Sequence, residues 1–250
     1  MKEGDIIILI GPRGKFVVKV AGGMQKISGL GVVDASRLLD AKFGGRIQIA
    51  DQEYIVLRPS LADTLETLKR KAQIVIPKDS YQIIGSCDIR SGSIVVEGGA
   101  GSGALTIALA NFVAPNGKVT TYENRNDFAE FAKKNLERAG VDALVEFKVR
   151  DITTGIDERS VDAVVVDIPE PEKMVAHARA ALRPGGYFAG YVPTMNQVER
   201  LVAELKEHEF SEIKTTETLQ REIVVGEGAV RPSFDMLGHT GYITVARKLI

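Results

Sequence analysis

The sequence predicts an α/β protein in which a doubly wound, Rossmann-like sheet follows a small N-terminal β domain. Three observations carry that prediction. From about Ile74, short Val/Ile-rich runs alternate with segments of helical spacing, the pattern of a parallel sheet covered by helices on both faces. Directly after one such run, "VVEGGAGSGALT" (95–106) places four glycines within six residues. Residues 1–58, by contrast, hold Ile- and Val-rich runs broken by glycine and proline, as small barrels and sandwiches do.

"DIIILI" (5–10), "KFVVKV" (15–20) and "RIQIADQEYIVLR" (46–58) read as strands, with "GPRG" (11–14) and "FGG" (43–45) as turns. After Arg58-Pro59-Ser60, "LADTLETLKRKA" (61–72) has helical spacing. The expected division is a β domain over 1–58, a helical linker over 59–75 and a sheet domain over 76–250. In the last, strands are expected at 93–97, 118–123, 144–151, 161–167, 185–192, 211–218 and 240–247. Helices are expected at 103–114, 126–140, 171–182 and 194–208. Sheets of this class bind ligands beyond the carboxyl ends of their strands, where strand order reverses.

The chain has 250 residues and a formal net charge of -1, so no global basic field advertises nucleic acid. The balance is uneven: residues 1–90 hold 14 Lys/Arg against 10 Asp/Glu, and the remainder 18 against 23. A basic face for RNA on the N-terminal part and a merely solvated surface both fit. Cys87 is the single cysteine, so no disulfide framework exists. No basic-then-apolar leader opens the chain, and no apolar run reaches membrane-helix length. A soluble, cytoplasmic protein is expected.

Gly99, Gly101 and Ala104 satisfy G-x-G-x-x-G/A, with Glu123 about 20 residues on. A nicotinamide dinucleotide is therefore one candidate ligand. Gly103 completes a loop whose backbone can approach a ligand closely while the following helix offers free N–H groups. Glu97 begins to separate the candidates. A carboxylate at that strand end would repel a pyrophosphate and welcome an ammonium. S-adenosylmethionine carries an ammonium, a sulfonium and no phosphate. Glu123 can accept both ribose hydroxyls, and Asp151 is placed either to accept from an adenine amino group or to cap a turn. Three acids at successive strand ends suit a cationic nucleoside better than a dinucleotide. The fourth strand ends in "VVVDIPEPEK", where Pro169 and Pro171 stiffen the loop that carries Asp167. Asp167 is either delivered to the crevice or serves as a helix N-cap.

"VVEGGAGSGALTIALA", "TYENR", "VRDI", "VVDIPEPEK", "GYVPTMNQV" and "GHTGYITVARK" follow one another in this order. In this the chain resembles the TrmI-type tRNA (adenine-N1)-methyltransferases, over nearly its whole length. "RKAQIVIPKDSYQII" (70–84) and the leading β segment resemble the same family. The resemblance implies a class I methyltransferase sheet and methyl transfer from S-adenosylmethionine to N1 of an adenine in the tRNA T-loop, by a homotetramer. By position, it assigns Glu97, Gly99, Gly101, Gly103, Ala104, Glu123 and Asp151 to the cofactor. Asp167 becomes the catalytic acid, at the junction of cofactor and target base. Three places depart from the family: Ile76 where a tyrosine is usual, Glu172 where a tryptophan is common, and Phe234-Asp235 where His-Arg is common. All lie in segments expected near the acceptor. A different acceptor (another RNA, a protein or a small molecule), a nicotinamide oxidoreductase and an inactive RNA-binding relative are the alternatives.

A T-loop adenine must be extruded to react. Tyr81, Tyr191 and Phe234 are candidate stacking platforms, and Pro169 is expected beside the base. Among the three histidines only His239, in "GHTG", is expected near the site. His177 and His208 fall on helices as solvent-facing groups. No spacing of histidine and cysteine suggests a metal.

Overall fold

The computed structural model of the chain describes residues 1–226 and 228–250. The N-terminal part contains β1 (Ile6–Gly11), β2 (Gly14–Lys19), β3 (Met24–Ile27), β4 (Gly31–Asp34), α1 (Ser36–Leu39), β5 (Arg46–Ile49) and β6 (Gln52–Leu57). An antiparallel sheet runs β2-β1-β6-β5, and β3 pairs only with β4. Ile7, Leu9, Val18, Tyr54 and Val56 fill its core with Leu38 of α1. The single strand expected over 46–58 is instead the hairpin β5–β6. Ala50 takes a positive φ of 51° there and reverses the chain. The short elements β3, β4 and α1 have four residues each, too few to show a period in sequence.

A capping box of Ser60 and Asp63 starts α2 (Leu61–Glu66), which ends well before the expected residue 72. Tertiary bonds claim the backbone that follows. Asn135 Nδ2 donates to the Lys69 carbonyl at 2.9 Å, and the Lys71 N–H donates to Ser102 Oγ at 3.0 Å. The linker is thus held against the glycine loop rather than coiled on itself. Next comes α3 (Pro77–Ser86), with proline in its first turn where a missing N–H costs nothing.

The remaining elements are β7 (Ile94–Gly98), α4 (Ala104–Val113), β8 (Lys118–Tyr122), α5 (Asn126–Ala139), β9 (Val145–Lys148), β10 (Val161–Val166), α6 (Val175–Ala181), β11 (Leu182–Val192), α7 (Met195–Glu207), β12 (Phe210–Thr216), β13 (Ile223–Gly226), β14 (Ala229–Pro232) and β15 (Tyr242–Lys248). Seven strands form one sheet in the order β12-β15-β11-β10-β7-β8-β9. The strands β7 to β11 are parallel, while β15 runs antiparallel to β11 and β12. This is the doubly wound sheet that the alternation predicts. The helix expected over 171–182 is divided. Pro171–Met174 form a 3-10 turn, and α6 stops at Ala181 because Leu182 already pairs with Val161. The hairpin β13–β14 has no periodic signature, and its strands are exposed throughout.

Register aligns the strand ends. Gly98 pairs with Tyr122 and Val166, Tyr122 with Lys148, and Val166 with Gly190. The next residue of each chain segment therefore arrives at one edge: Gly99, Glu123, Asp167 and Tyr191. Strand order reverses between β7 and β10, directly behind Gly99. Among the described residues, no helix is long and apolar enough to cross a membrane.

Candidate active site

A cavity of about 570 Å³ opens at that edge. Gly99, Gly101, Glu123, Asp151, Asp167 and Pro169, all singled out in the sequence, line it. The glycine loop has three left-handed residues, with φ of +90° at Gly99, +53° at Gly101 and +85° at Gly103, a conformation that costs other residues about 1–2 kcal/mol each. They differ in what a side chain would meet. A Cβ on Gly99 would overlap the backbone carbonyl oxygen of Asp167, whereas one on Gly101 would enter open space. A Cβ on Gly103 would press on Leu136 and Ala132 of α5. Gly103 thus serves helix packing, and neither it nor Ala104, the first residue of α4, lines the cavity.

Glu123 is almost fully buried, yet it borders the cavity. Its Oε2 accepts the Gly101 N–H at 3.1 Å, and its Oε1 accepts the Arg125 N–H at 3.0 Å. One carboxylate therefore braces two neighbouring loops and keeps lone pairs for a ligand. Of the two roles that the sequence left open for Asp151, the structure shows the turn cap. The Oδ1 of Asp151 accepts the N–H and hydroxyl of Thr153, each at 2.8 Å, capping a 3-10 turn, and the residue also borders the cavity.

Asp167 is held by its backbone, whose N–H donates to the Gly98 carbonyl at 2.9 Å. It does not cap a helix: the 3-10 turn that follows has Glu170 at its N-cap. Burial pushes its carboxyl up to about 6. The loop beyond is clamped at both ends. Gln197 Nε2 donates to the Pro169 carbonyl at 2.9 Å, and Arg200 pairs with Glu172 at 2.8 Å.

Glu97 lies behind the loop, not on the cavity face. It is 0% exposed; its Oε2 accepts the Thr106 hydroxyl at 2.6 Å, and its Oε1 is buried with no donor among the described residues. Burial pushes this carboxyl up to about 7. The register explains the placement. Glu97 pairs with Thr121, so both point to the face covered by α4.

Of the expected acceptor residues, Pro169 lines this cavity and Tyr81, Tyr191, Phe234 and His239 do not. Tyr81 sits on α3 against Phe112, ring centroids 6.2 Å apart. The Tyr191 hydroxyl donates to Asp79 at 3.3 Å within a buried cluster that includes Lys78 and Thr240. Phe234 is 81% exposed, beyond the β13–β14 hairpin. His239 pairs with Glu217 at 2.7 Å and contacts the Pro193 carbonyl at 2.8 Å. His177 and His208 are partly exposed on or beside helices. Among the described residues, no cluster of His, Cys, Asp and Glu could hold a metal ion.

Tyr122, Arg150, Lys173, Ala72 and Gln73 also line the cavity and escaped the sequence reading. Tyr122 and Arg150 directly precede the acids Glu123 and Asp151, which is the one signal that could have found them. The linker residues carry none.

Sheet order, glycine turn and acidic strand ends together define a class I methyltransferase fold. Solved structures agree. One described as an S-adenosylmethionine-dependent O-methyltransferase from Thermotoga maritima matches with a TM-score of 0.87 and 35% identity, over 100% of this chain and 95% of that one. The tRNA (m1A58) methyltransferase TrmI from Aquifex aeolicus matches at 0.80 and 27%, over 100% and 99%. The family described as "tRNA methyltransferase complex GCD14 subunit" matches residues 55–231, and the chain belongs to that family. A tRNA (adenine(57)-N(1)/adenine(58)-N(1))-methyltransferase TrmI from Methanocaldococcus jannaschii is 37% identical, over 96% of this chain and 94% of its own length. The Thermus thermophilus tRNA (adenine(58)-N(1))-methyltransferase TrmI is 32% identical, over 87% and 86%.

Proposed function

We propose that this chain transfers a methyl group from S-adenosylmethionine to N1 of an adenine in tRNA. The observation that carries the chemistry is Asp167, a carboxylate on a clamped loop at the cavity wall, beside the glycine turn. Family membership and the TrmI relatives support the acceptor.

The cavity fits the cofactor on two counts. Space stands open at Gly101, where a Cβ would point, and Glu123 keeps acceptor capacity after bracing its loops. Bound there, S-adenosylmethionine supplies a methyl carbon activated by its sulfonium. Gly99 and Gly101 let the backbone approach, Glu123 accepts from the ribose hydroxyls, and Asp151 accepts from the adenine amino group. Gly103 packs the loop onto α5, and Ala104 is buried at the start of α4. Glu97 ties β7 to α4 behind the loop through its bond from Thr106.

Adenine N1 is a neutral nucleophile with a free lone pair, so attack needs no prior proton removal. The product base is a cation. Asp167, ionised above about pH 6, accepts from the N6 amino group and stabilises the charge that develops in transfer. Pro169 fixes the loop against which the base rests. The main catalytic contribution is alignment of nucleophile and methyl carbon.

Assembly is part of the proposal. Val225 and Val230 of the exposed hairpin are 75% and 71% exposed, with Phe234 and Leu237 beyond it. So much apolar surface on one projection marks an interaction face, and a homotetramer in the cytoplasm would cover it. The second reading is a different acceptor for the same chemistry, favoured by the departures at Ile76, Glu172 and Phe234-Asp235. Labelled methyl transfer to an unmodified tRNA transcript, against protein and small-molecule acceptors, decides between them.

A further inference from the structure

A second cavity, of about 480 Å³, lies where the N-terminal domain meets α5. Four cations line it: Lys19 and Lys26 from the β domain, Lys69 from the linker and Arg138 from α5, with no acid among the lining residues. Cations nearby are neutralised. Lys15 pairs with Asp63 and Glu66, Lys71 with Asp127, and Lys133 with Glu130. The four in the cleft have no carboxylate partner among the described residues. Like charges gathered without counter-charge repel one another, and an anionic ligand removes that cost.

Two further features fix the kind of anion. Gln25 also lines the cleft, and its side-chain oxygen is buried with no donor among the described residues. An RNA backbone offers a 2′-hydroxyl donor beside each phosphate. The linker then runs from the cleft to the active cavity. Lys69 borders the first, Ala72 and Gln73 border the second, and Arg70 and Lys71 lie between them. Four residues of chain reach at most about 14 Å.

We propose that this cleft binds the sugar–phosphate backbone of the RNA acceptor and holds it while an adenine enters the cavity at Asp167. The proposal rests on the reading of the chain as an RNA methyltransferase. Lys19, Lys26 and Arg138 are binding residues: none lines the active cavity. Backbone contacts position a nucleic acid without reading its sequence. They act on RNA affinity, not on chemistry once RNA is bound.

The test uses the full chain and an unmodified tRNA transcript. Lys19→Gln/Lys26→Gln and, separately, Arg138→Gln are compared with wild type in steady-state transfer and in RNA binding from low to high salt. Each lost phosphate contact lowers the slope of log affinity against log salt by about 0.7–0.9. The double variant is expected to lose about 1.5 from that slope and to raise KM for tRNA about tenfold, with kcat and S-adenosylmethionine affinity unchanged. Arg138→Gln is expected to lose about half as much slope. Lys206→Gln, an exposed cation on α7 at the opposite sheet edge, is expected to change neither. Wild-type slope and KM in both cleft variants, while the wild-type chain methylates tRNA, would overturn the proposal alone. A wild-type chain that methylates no RNA would overturn the functional reading, and this proposal with it.

Discussion

Glu123 braces two loops through the Gly101 and Arg125 N–H groups and borders the cavity proposed to hold the cofactor. Glu123→Ala therefore removes a ligand group and a loop brace together, and Glu123→Gln is the cleaner probe. The amide keeps one acceptor oxygen and the shape but loses the charge. Charge-assisted hydrogen bonds are worth roughly 1.5–3 kcal/mol, so S-adenosylmethionine affinity should fall about 10- to 100-fold in calorimetry. Unchanged affinity removes Glu123 from the site. Glu97 makes the opposite kind of prediction, about stability. Its carboxyl is held at about 7, above the ordinary 4.5, by burial. An acid raised in the folded state favours folding only while protonated. That contribution is full below about pH 4.5 and is lost as pH rises through about 7. Glu97→Gln stays neutral throughout. The wild type should lose up to about 3 kcal/mol of stability relative to it between pH 5 and pH 8, read from melting of the apo protein. Parallel melting profiles would show that Glu97 ionises without cost.

At the scale of the element, the glycine turn joins two functions that one substitution each can separate. A Cβ at Gly99 would collide with the Asp167 carbonyl oxygen, backbone against backbone, while Gly101 faces open space. Gly99→Ala should lower the melting temperature by several degrees, because the two strand ends must separate. Gly101→Ala should melt closer to wild type yet bind S-adenosylmethionine at least tenfold more weakly, its methyl occupying ligand space. Equal effects of the two on melting and on binding would contradict this division. The turn was legible in sequence because glycine reports backbone conformation directly. So were Glu123 and Asp167, because "TYE" and "VVVD" each place an acid directly after a strand at the same edge of the sheet. Legibility failed where distant contacts decide. The linker's departure from helix at Glu66 is set by Asn135 and Ser102, far along the chain. The burial of Glu97 follows from its pairing with Thr121. Tyr81 and Tyr191 are candidate stacking platforms by residue type alone, yet one packs on Phe112 and the other bonds to buried Asp79.

Across the whole molecule, the parallel sheet gathers Gly99, Glu123, Asp151 and Asp167 at one cavity, and the linker carries the N-terminal domain alongside it. A cavity lined by acids and glycine is thus joined to a basic junction, which on the proposed reading suits a polyanionic acceptor. The measurement closest to the central claim is single-turnover methyl transfer to an unmodified tRNA transcript, with saturating S-adenosylmethionine, for wild type, Asp167→Asn and Asp167→Ala between pH 5 and pH 8. The account predicts 1-methyladenosine as product and a loss of roughly 10²–10³ in Asp167→Ala, with the fold and most cofactor affinity kept. Asp167 is ionised only above about pH 6. The wild-type rate should therefore climb through that pH and level off, and Asp167→Asn should be slow and without that rise. Wild-type rates from both variants, or a methyl group delivered elsewhere than adenine N1, would contradict it.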